Sequence, residues 1–331
     1  MRLVRRLAVK LLIGLITIWV VASGTFFLVR LMPGNPAQAE LQQEVQLGMS
    51  PAAAAGKAQQ MYGFIPHQSL PRQYLSYVWQ LAHFNLGQSV VQEGVPVAHI
   101  IGSAAPWTIV LVLSGTVVSF IIGVIAGLLA AVRRSSKLGD LLTVSGSVLH
   151  GIPQFVLAVL FSFLFTTLWK LFQNIGPYNA FDNPGFNLPF IGSVIVQAIL
   201  PVSAYALSSY GGWLLTMKSS VVSVLGDDFI LAAELRGLRP LIVARYVMRN
   251  AILPLFTILA LSIGFMFGGS IFIEEIFDYP GLGWQLYESV TKHDYPLMTG
   301  TFLIITVAVI ACNILADLLY AVIDPRVRSA G

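Results

Sequence analysis

The sequence of 331 residues contains one cysteine and few charges. Because a disulfide needs two thiols, Cys312 cannot form one within the chain, and a site made of several cysteines is excluded. Charged residues make up 10% of the chain and hydrophobic residues 56%, whereas soluble proteins carry about 25% charged residues. This composition excludes an ordinary soluble domain and indicates an integral membrane protein.

The sequence also lacks the short motifs of several enzyme classes. No G-x-x-x-x-G-K-[ST] motif occurs, since Gly56-Lys57 is followed by Ala58 and has no upstream glycine in register. Energy from ATP would therefore have to come through a partner. The histidines, at positions 67, 83, 99, 150 and 293, are scattered and form no H-E-x-x-H motif. An intramembrane enzyme is the least favoured class, because no paired nucleophile and base stand out.

Long apolar runs dominate what is present. A helical span needs about 20 predominantly apolar residues, and six runs qualify: 11–29, 105–132, 141–165, 190–217, 251–273 and 297–316. Every backbone polar group must be paired inside lipid, so we interpret all six as helices. The predicted fold class is an all-α polytopic membrane protein with six transmembrane helices. We expect Pro106, Pro153, Pro201 and Pro254 each to bend a span or to mark its end.

The basic residues are distributed unequally between the two sides of the membrane. Fourteen of the 19 lysines and arginines fall in the segments on the side of the N-terminus, four fall on the other side, and Arg30 lies at the outer end of the first span. This asymmetry predicts that both termini are cytoplasmic. The first apolar run is too long for a secretory signal, so we expect an uncleaved span.

These features predict the domain organisation. Residues 1–31 form the cytoplasmic N-terminus and the first span, and residues 32–104 form an external segment with two or three short helices, one starting at Ser50-Pro51 and another at Ser69. Residues 105–323 form a core of five transmembrane helices with a cytoplasmic loop at 218–250. Residues 324–331 form a cytoplasmic tail.

The stretch "DDFILAAELRGLRPLIVARYVMRNAILP", residues 227–254, interrupts the apolar runs with charges. Asp227 or Asp228 can cap a helix, Gly237 supplies a left-handed stop, and Pro240 can start a second helix. Ala232 and Ala233 keep one face of the first helix slim. With about nine residues the helix is about 13 Å long, and it would be marginal alone in water. We therefore expect it to dock into a partner; the alternative is an interfacial loop with snorkelling arginines.

Other polar groups are candidates for roles in or near the membrane. Residues 271–296 suggest a hairpin that dips into the outer side of the membrane, a candidate outer gate formed by Glu274, Glu275, Asp278, Tyr279, Pro280 and Trp284. The alternative is a plain external connection with interfacial aromatic residues. For His150 we favour a hydrogen bond at a helix kink or between helices, and for Asp317 we favour polar contacts between helices or with the cytoplasmic arginines. A role in a substrate path stays open for both residues.

The run "AAELRG...RNAILP" resembles the cytoplasmic EAA loop of ABC importer permeases, whose short helix inserts into a groove of the ATP-binding subunit. "RLMPGNPA", "HFNLGQSV", "AAVRRSSKLGD" and "GIPQF" follow in the order of the dipeptide and oligopeptide branch, and "EEIFDYPGLGWQLYESVTKHDYPLMTG" and "NILADLLYAVIDPRVR" are specific to it. Two features depart from the pattern: Leu231 stands where the broader family often places a glutamate, and the linker at Pro240 is one residue short.

The resemblance implies a B-type permease subunit with the type I importer fold, in a prokaryotic cell membrane. Its implied partners are a second homologous permease, two ATP-binding subunits, an external substrate-binding protein and membrane lipid, with no nucleic acid. The residues implied in coupling to the ATPase are Asp228, Ala232, Ala233, Glu234, Arg236, Gly237 and Leu238. The candidate outer gate would also be a contact for the binding protein.

The resemblance further implies a non-catalytic subunit that transports di- or oligopeptides. It carries no cofactor itself, and the partner subunits bind ATP and magnesium. Relatives of this branch carry oligosaccharides or nickel chelates, and both stay open as alternatives. A self-sufficient channel or secondary transporter is the alternative of a different class; it should show charges along the spans or an internal repeat of broken helices, and neither is clear in the sequence.

Overall fold

A computed structural model describes residues 2–31, 36–62, 69–172, 176–256, 258–259 and 270–323. Within these ranges the regular structure is helical, apart from one isolated bridge between Gln88 and Pro96. The helices are α1 (Arg2–Leu31), α2 (Pro36–Gln46), α3 (Pro51–Tyr62), α4 (Leu70–Ala82), α5 (Val97–Val132), α6 (Lys137–Gly151), α7 (Gln154–Ser162), α8 (Leu188–Leu225), α9 (Asp228–Leu235), α10 (Pro240–Ala251), α11 (Ile271–Ile276), α12 (Leu282–Thr291) and α13 (Tyr295–Ile323). The all-α prediction is confirmed for the described residues.

Four of the described helices are long and apolar enough to cross a membrane. The qualifying segments are Ala8–Val29, Val97–Val132, Leu188–Leu225 and Tyr295–Ala316. They contain the predicted first, second, fourth and sixth runs. A fifth crossing is available if α6 and the helical residues up to Leu168 count as one bent span. The remaining predicted run, 251–273, is described in part, since residues 257 and 260–269 lie outside the described residues.

The third predicted span is broken at its proline. α6 ends at Gly151, Ile152 is extended, and Pro153 precedes the first residue of α7. A residue before proline is pushed out of the helical region, and proline has no N–H for the helix ladder. The two halves meet at an angle of 98°. The expectation for Pro153 is confirmed, whereas Pro106 and Pro201 lie inside helices that continue past them.

α7 runs directly into a π-helical segment, Phe163–Leu168. Phe165 in this segment packs against Phe161, Trp169 and Phe172, with ring centroids 5.4, 5.0 and 6.5 Å apart. Such aromatic contacts stabilise the segment beyond the burial of their area. The helical structure that follows Pro153 therefore ends in an aromatic cluster.

The chain divides into two compact units, Met1–Thr108 with Pro280–Ile310 and Ile109–Tyr279 with Ala311–Gly331. The first unit contains the short helices expected in the external segment. Pro51 begins α3, where the Ser50 hydroxyl accepts a hydrogen bond from the Ala53 N–H at 3.3 Å. Ser69 precedes α4 as its N-cap residue. The predicted helix starts at Pro51 and Ser69 are confirmed.

The apolar core of the first unit joins the start of α5 to the segments after residue 280. Its buried residues are Val97, Ile100, Ile101, Ala104, Leu282 and Leu297. The Leu282 N–H also donates to the Thr108 hydroxyl at 2.7 Å. Because this hydrogen bond is buried, losing either partner would leave a polar group unsatisfied.

Glycines allow α8 to approach its neighbours closely in the second unit. A Cβ at Gly123 or Gly127 on α5 would lie within 2.5 Å of atoms of Trp213 or Leu214. A Cβ at Gly211 would lie 2.1 Å from the Gly146 carbonyl oxygen on α6 and 2.8 Å from the His150 Cβ. Small residues at helix crossings are the usual means of close packing in membranes.

We expect Gly211→Ala to lower the temperature at which the detergent-solubilised protein loses its monodisperse elution peak. The added methyl group meets backbone atoms, which cannot move aside as a flexible side chain would, and overpacking of this kind costs about 1–3 kcal/mol. Gly192→Ala on the same helix is the control, because no heavy atom lies within 4 Å of its added Cβ. Equal melting temperatures for the two variants would show that the crossing is not close.

Candidate functional site

The charged loop forms two short helices, as the sequence predicts. α8 continues to Leu225, Asp227 occupies the N-cap position of α9, and α9 spans Asp228–Leu235. The Ile230 N–H donates to the Asp227 carbonyl at 3.0 Å, but the Asp227 side chain makes no capping hydrogen bond. The first eight residues of the predicted loop, 218–225, therefore belong to the long helix α8.

α9 is held by its inner face. Ile230 and Ala233 are buried in a core cluster with Met217 and Val221 of α8 and Val247 of α10. A helix of eight residues is marginal alone, so this apolar contact within the chain stabilises it. The expectation that Ala233 shares a docking face with Ala232 does not hold, because Ala233 is only 5% exposed.

The outer face of α9 is exposed and partly apolar. At about 100° per residue, Asp228, Leu231, Ala232 and Leu235 fall within an arc of about 100° opposite Ile230 and Ala233. Leu231 is 56% and Leu235 80% exposed. We call these four residues the α9 outer face. Leu235 was absent from the predicted set, and its apolar side chain is the most exposed on the helix.

Gly237 ends α9 in the left-handed conformation that the sequence predicts, with φ of +69°. Its N–H donates to the Glu234 carbonyl at 2.8 Å, and the Leu238 N–H donates to the Ala233 carbonyl at 3.2 Å. This pair of bonds is the Schellman motif, which satisfies carbonyls left open at a helix end. Leu238 packs on the same core cluster as Ala233. The stop therefore fixes the direction in which the chain leaves α9.

α10 begins at Pro240, as predicted, and packs on the core through Val243, Val247 and Ala251. Its exposed side carries Arg245 and Arg249. The Ser220 hydroxyl of α8 donates to the Ala251 carbonyl at 2.7 Å and so satisfies the end of α10. Of the other residues predicted for coupling, Glu234 and Arg236 are exposed, and Leu238 is half-buried.

The segment predicted as an outer gate is mostly helical, which corrects the expectation of a non-helical hairpin; its position at the outer side of the membrane stays a prediction. α11 and α12 occupy 271–276 and 282–291, and the turns between and after them use positive φ at Asp278 and His293.

The candidate gate residues differ in exposure. Glu274 and Tyr279 are fully buried, whereas Asp278 is exposed; Glu275, Pro280 and Trp284 are intermediate. The Ser270 hydroxyl donates to Glu274 at 2.9 Å. Burial, and then the charge of Glu274, raises the pKa of Tyr279 to about 12, so this phenol is neutral at physiological pH.

Asp294, which the sequence reasoning missed, ties the start of α13 to the external segment. It is fully buried and accepts hydrogen bonds from the Ser89 hydroxyl and from the N–H groups of Val91 and Leu297, the latter two at 3.2 Å each. The same side chains border an open hollow of about 300 Å³, whose lining also includes Trp284, Glu288 and Lys292. Asp294 lies 205 positions from Ser89, so no local pattern indicates their contact.

The two intramembrane candidates have different outcomes. His150 lies in the last turn of α6 and is exposed, with its ring 3.4–3.5 Å from the position of a Cβ at Gly212. Within the described residues its ring makes no hydrogen bond, so the expected bond between helices is not found there. Asp317 is in the helical backbone of α13, and its side chain lies outside the described structure.

The long apolar helices, four of them or five with the bent pair, define a multi-pass helical membrane protein among the described residues. Residues 123–329 match the family described as "Binding-protein-dependent transport system inner membrane component". A Brucella suis protein named as a peptide permease is 32% identical over 320 residues, which cover 96% of this chain and 97% of that protein.

Two further relatives have names that specify a cargo. The oligopeptide transport system permease protein AppB of Bacillus subtilis is 29% identical, covering 92% of this chain and 93% of AppB. The nickel import system permease protein NikB of Staphylococcus aureus is 30% identical, covering 99% of this chain and 93% of NikB. The chain therefore belongs to the binding-protein-dependent ABC importer permeases of the peptide and nickel type, and it is a multi-pass protein of a prokaryotic plasma membrane.

Proposed function

We propose that this chain forms half of the translocation path of an ATP-driven importer for di- or oligopeptides. A second homologous permease completes the path, two ATP-binding subunits drive it, and an external binding protein delivers the peptide. The peptide class is supported by the names of the Brucella and Bacillus relatives. A nickel chelate is the second candidate, because the Staphylococcus relative is 30% identical over 99% of this chain; an oligosaccharide would need the same partners.

The observation that carries the coupling role is the α9 outer face. The helix is fixed on one side by the core cluster around Ile230 and Ala233, and it exposes Leu231 and Leu235 on the other. An exposed apolar patch on a rigid element is typical of a protein interaction site. We infer that this face enters a groove of the ATP-binding subunit, with Asp228 and Ala232 beside the two leucines.

The purified chain is expected to hydrolyse no ATP, since it has no phosphate-binding loop of the G-x-x-x-x-G-K-[ST] type. ATP and magnesium belong to the partner subunits in this proposal, and the chain itself holds no cofactor. Hydrolysis should appear when the second permease and the ATP-binding subunits are co-expressed and purified with it. Hydrolysis by the chain alone that persists through further purification, at the same rate per mole, would contradict the proposal.

We further propose that residues 1–31 start in the cytoplasm, 32–104 lie outside, 105–323 hold the other spans with the loop 218–250 inside, and 324–331 return to the cytoplasm. Single cysteines in a Cys312→Ala background test this topology. Glu93 and Lys137 are suitable positions because both are exposed, whereas Lys57 is paired with Glu44.

In intact cells, or spheroplasts where an outer membrane is present, an impermeant maleimide should label Glu93→Cys and spare Lys137→Cys. Inverted vesicles should give the reverse pattern, because the positive-inside distribution places the basic end of α6 in the cytoplasm. Denatured samples provide the control for complete labelling of both cysteines. Labelling of both positions from the same side of a sealed membrane would refute the topology.

A further inference from the structure

The exposed surface of α6 is divided into a polar and an apolar part. At about 100° per residue, Thr143, Ser147 and His150 fall within an arc of about 60°. Next to this arc are Val144 and Val148, which are 58% and 56% exposed. The apolar part can face lipid, whereas the polar part can face water.

α8 continues the polar surface beside α6. Ser208, Gly212 and Thr216 follow each other at intervals of four residues, so they share one face. The His150 ring lies against Gly212, where a Cβ would be 3.4 Å from its Cε1 atom. Closer to the basic end of α6, Lys218 of α8 donates to the Thr143 hydroxyl at 2.8 Å. We call Thr143, Ser147, His150, Ser208, Gly212 and Thr216 the α6–α8 polar surface.

The hydroxyl groups of this surface could tolerate lipid, because their protons are used within the helices. Ser147 donates to the Thr143 carbonyl at 2.9 Å, and Thr216 donates to the Gly212 carbonyl at 2.8 Å. Such bonds to the preceding turn are common for serine and threonine in membrane helices. The hydroxyls alone therefore do not decide what faces the surface.

His150 decides it. The side chain is exposed, and within the described residues its ring makes no hydrogen bond. In the proposed topology α6 enters from the cytoplasm at Lys137, so His150 lies about 20 Å along the helix, deep within a hydrocarbon core about 30 Å thick. A polar ring without partners is unfavourable in hydrocarbon, and ionisable residues at this depth face a bundle interior or a water-filled cavity.

We propose that the α6–α8 polar surface lines the water-filled path through the importer, with His150 at the break between α6 and α7. This inference rests on the proposed function. The break supports it, because discontinuous helices at membrane depth are found where backbone lines a cavity. The imidazole lies next to Gly212, where a Cβ would be 3.4 Å from its Cε1 atom. The surface is thereby assigned to water and the solute in transit rather than to lipid or to a dry contact with the second permease.

Thiol labelling tests the proposal on the assembled transporter. Ser147→Cys and His150→Cys are placed on the polar surface, and Val144→Cys and Val148→Cys are the matched controls on the same helix, all in the Cys312→Ala background. The charged reagent (2-trimethylammonioethyl) methanethiosulfonate reacts with thiolates, which form only where water reaches the sulfur. We expect the two polar-surface cysteines to react about tenfold faster or more than the two controls.

Equally slow reaction at all four positions would overturn the proposal, since it would mean a dry surface covered by lipid or by the second permease. Equally fast reaction at all four would also overturn it, because water would then reach the polar and the apolar part of α6 equally. ATP hydrolysis by the same preparation tests the proposed function separately. Fast labelling of the polar surface in a chain that never binds an ATP-binding subunit would support the wet surface and contradict the importer.

Discussion

Leu235→Asp is expected to reduce ATP-driven uptake by about 100-fold or more while the chain still folds and inserts. Leu235 is 80% exposed, so an aspartate there is solvated in the free subunit and disturbs no internal packing. In the proposed complex the same carboxylate would be buried in an apolar groove without a partner, which costs about 3–5 kcal/mol. Because 1.4 kcal/mol is about a factor of ten, the ATP-binding subunit should be lost from the complex.

The measurements are co-purification of the ATP-binding subunit and uptake into proteoliposomes. Leu241→Asp is the matched control: Leu241 is 84% exposed and lies on α10, outside the α9 outer face. We expect this variant to retain the ATP-binding subunit and most of the uptake. If both variants lost activity equally, the loop would be an interfacial connector whose apolar residues rest on the membrane. If neither did, α9 would have no part in coupling.

Gly237→Val is expected to lower uptake by about tenfold or more, because it changes the direction in which the chain leaves α9. Gly237 has φ of +69°, which a β-branched residue resists at a cost of about 1–3 kcal/mol. The two backbone hydrogen bonds that close α9 depend on this conformation. When they are lost, the chain leaves α9 at a different angle, and the α9 outer face no longer meets the groove in the correct orientation.

Gly226→Val serves as the control for Gly237→Val, because Gly226 is the C-cap of α8, shortly before α9 begins, and has φ of −86°. A substitution at Gly226 therefore does not require the left-handed conformation that Gly237 adopts. Limited proteolysis should cut the Gly237→Val loop faster, while the Gly226 variant should resemble the parent chain. Normal uptake and normal protection in the Gly237 variant would contradict a fixed exit from α9.

Local signals predicted the start and end of the loop helices well. A glycine after a helical stretch and a proline at the next start each act through their own backbone chemistry, whereas Asp227 occupies the N-cap position without a side-chain hydrogen bond. α9 begins at Asp228, Gly237 adopts the left-handed conformation, and α10 begins at Pro240. These features depend on few neighbours, so they can be read without knowledge of the tertiary structure.

The face of α9 could not be predicted in the same way. Its sequence, DFILAAEL, is apolar on nearly every side, so its periodicity does not choose between Ala232 and Ala233. The choice comes from Met217, Val221 and Val247, which lie on other helices and bury Ala233. Tertiary contacts of this kind assign a side chain to the core although it looks available for a partner.

The segment after α10 shows a second limit of sequence patterns. Its acidic residues and Pro280-Gly281 turn suggested a hairpin, yet residues 271–276 and 282–291 are helical. Asp294, which follows this segment, accepts a hydrogen bond from Ser89, a residue 205 positions away. Long-range pairs between polar residues leave no periodic signal in one sequence, so neither the buried acid nor its partner could be singled out.

ATP-driven uptake by reconstituted proteoliposomes would show whether this chain is a permease subunit of an importer. The vesicles would contain this chain, the second permease and the ATP-binding subunits, with ATP enclosed on the side of the α9 loop and the binding protein added on the other side. We expect accumulation of a peptide delivered by the binding protein, and loss of accumulation when ATP, the binding protein or this chain is omitted. Accumulation by this chain alone, driven by an ion gradient without ATP or binding protein, would contradict it.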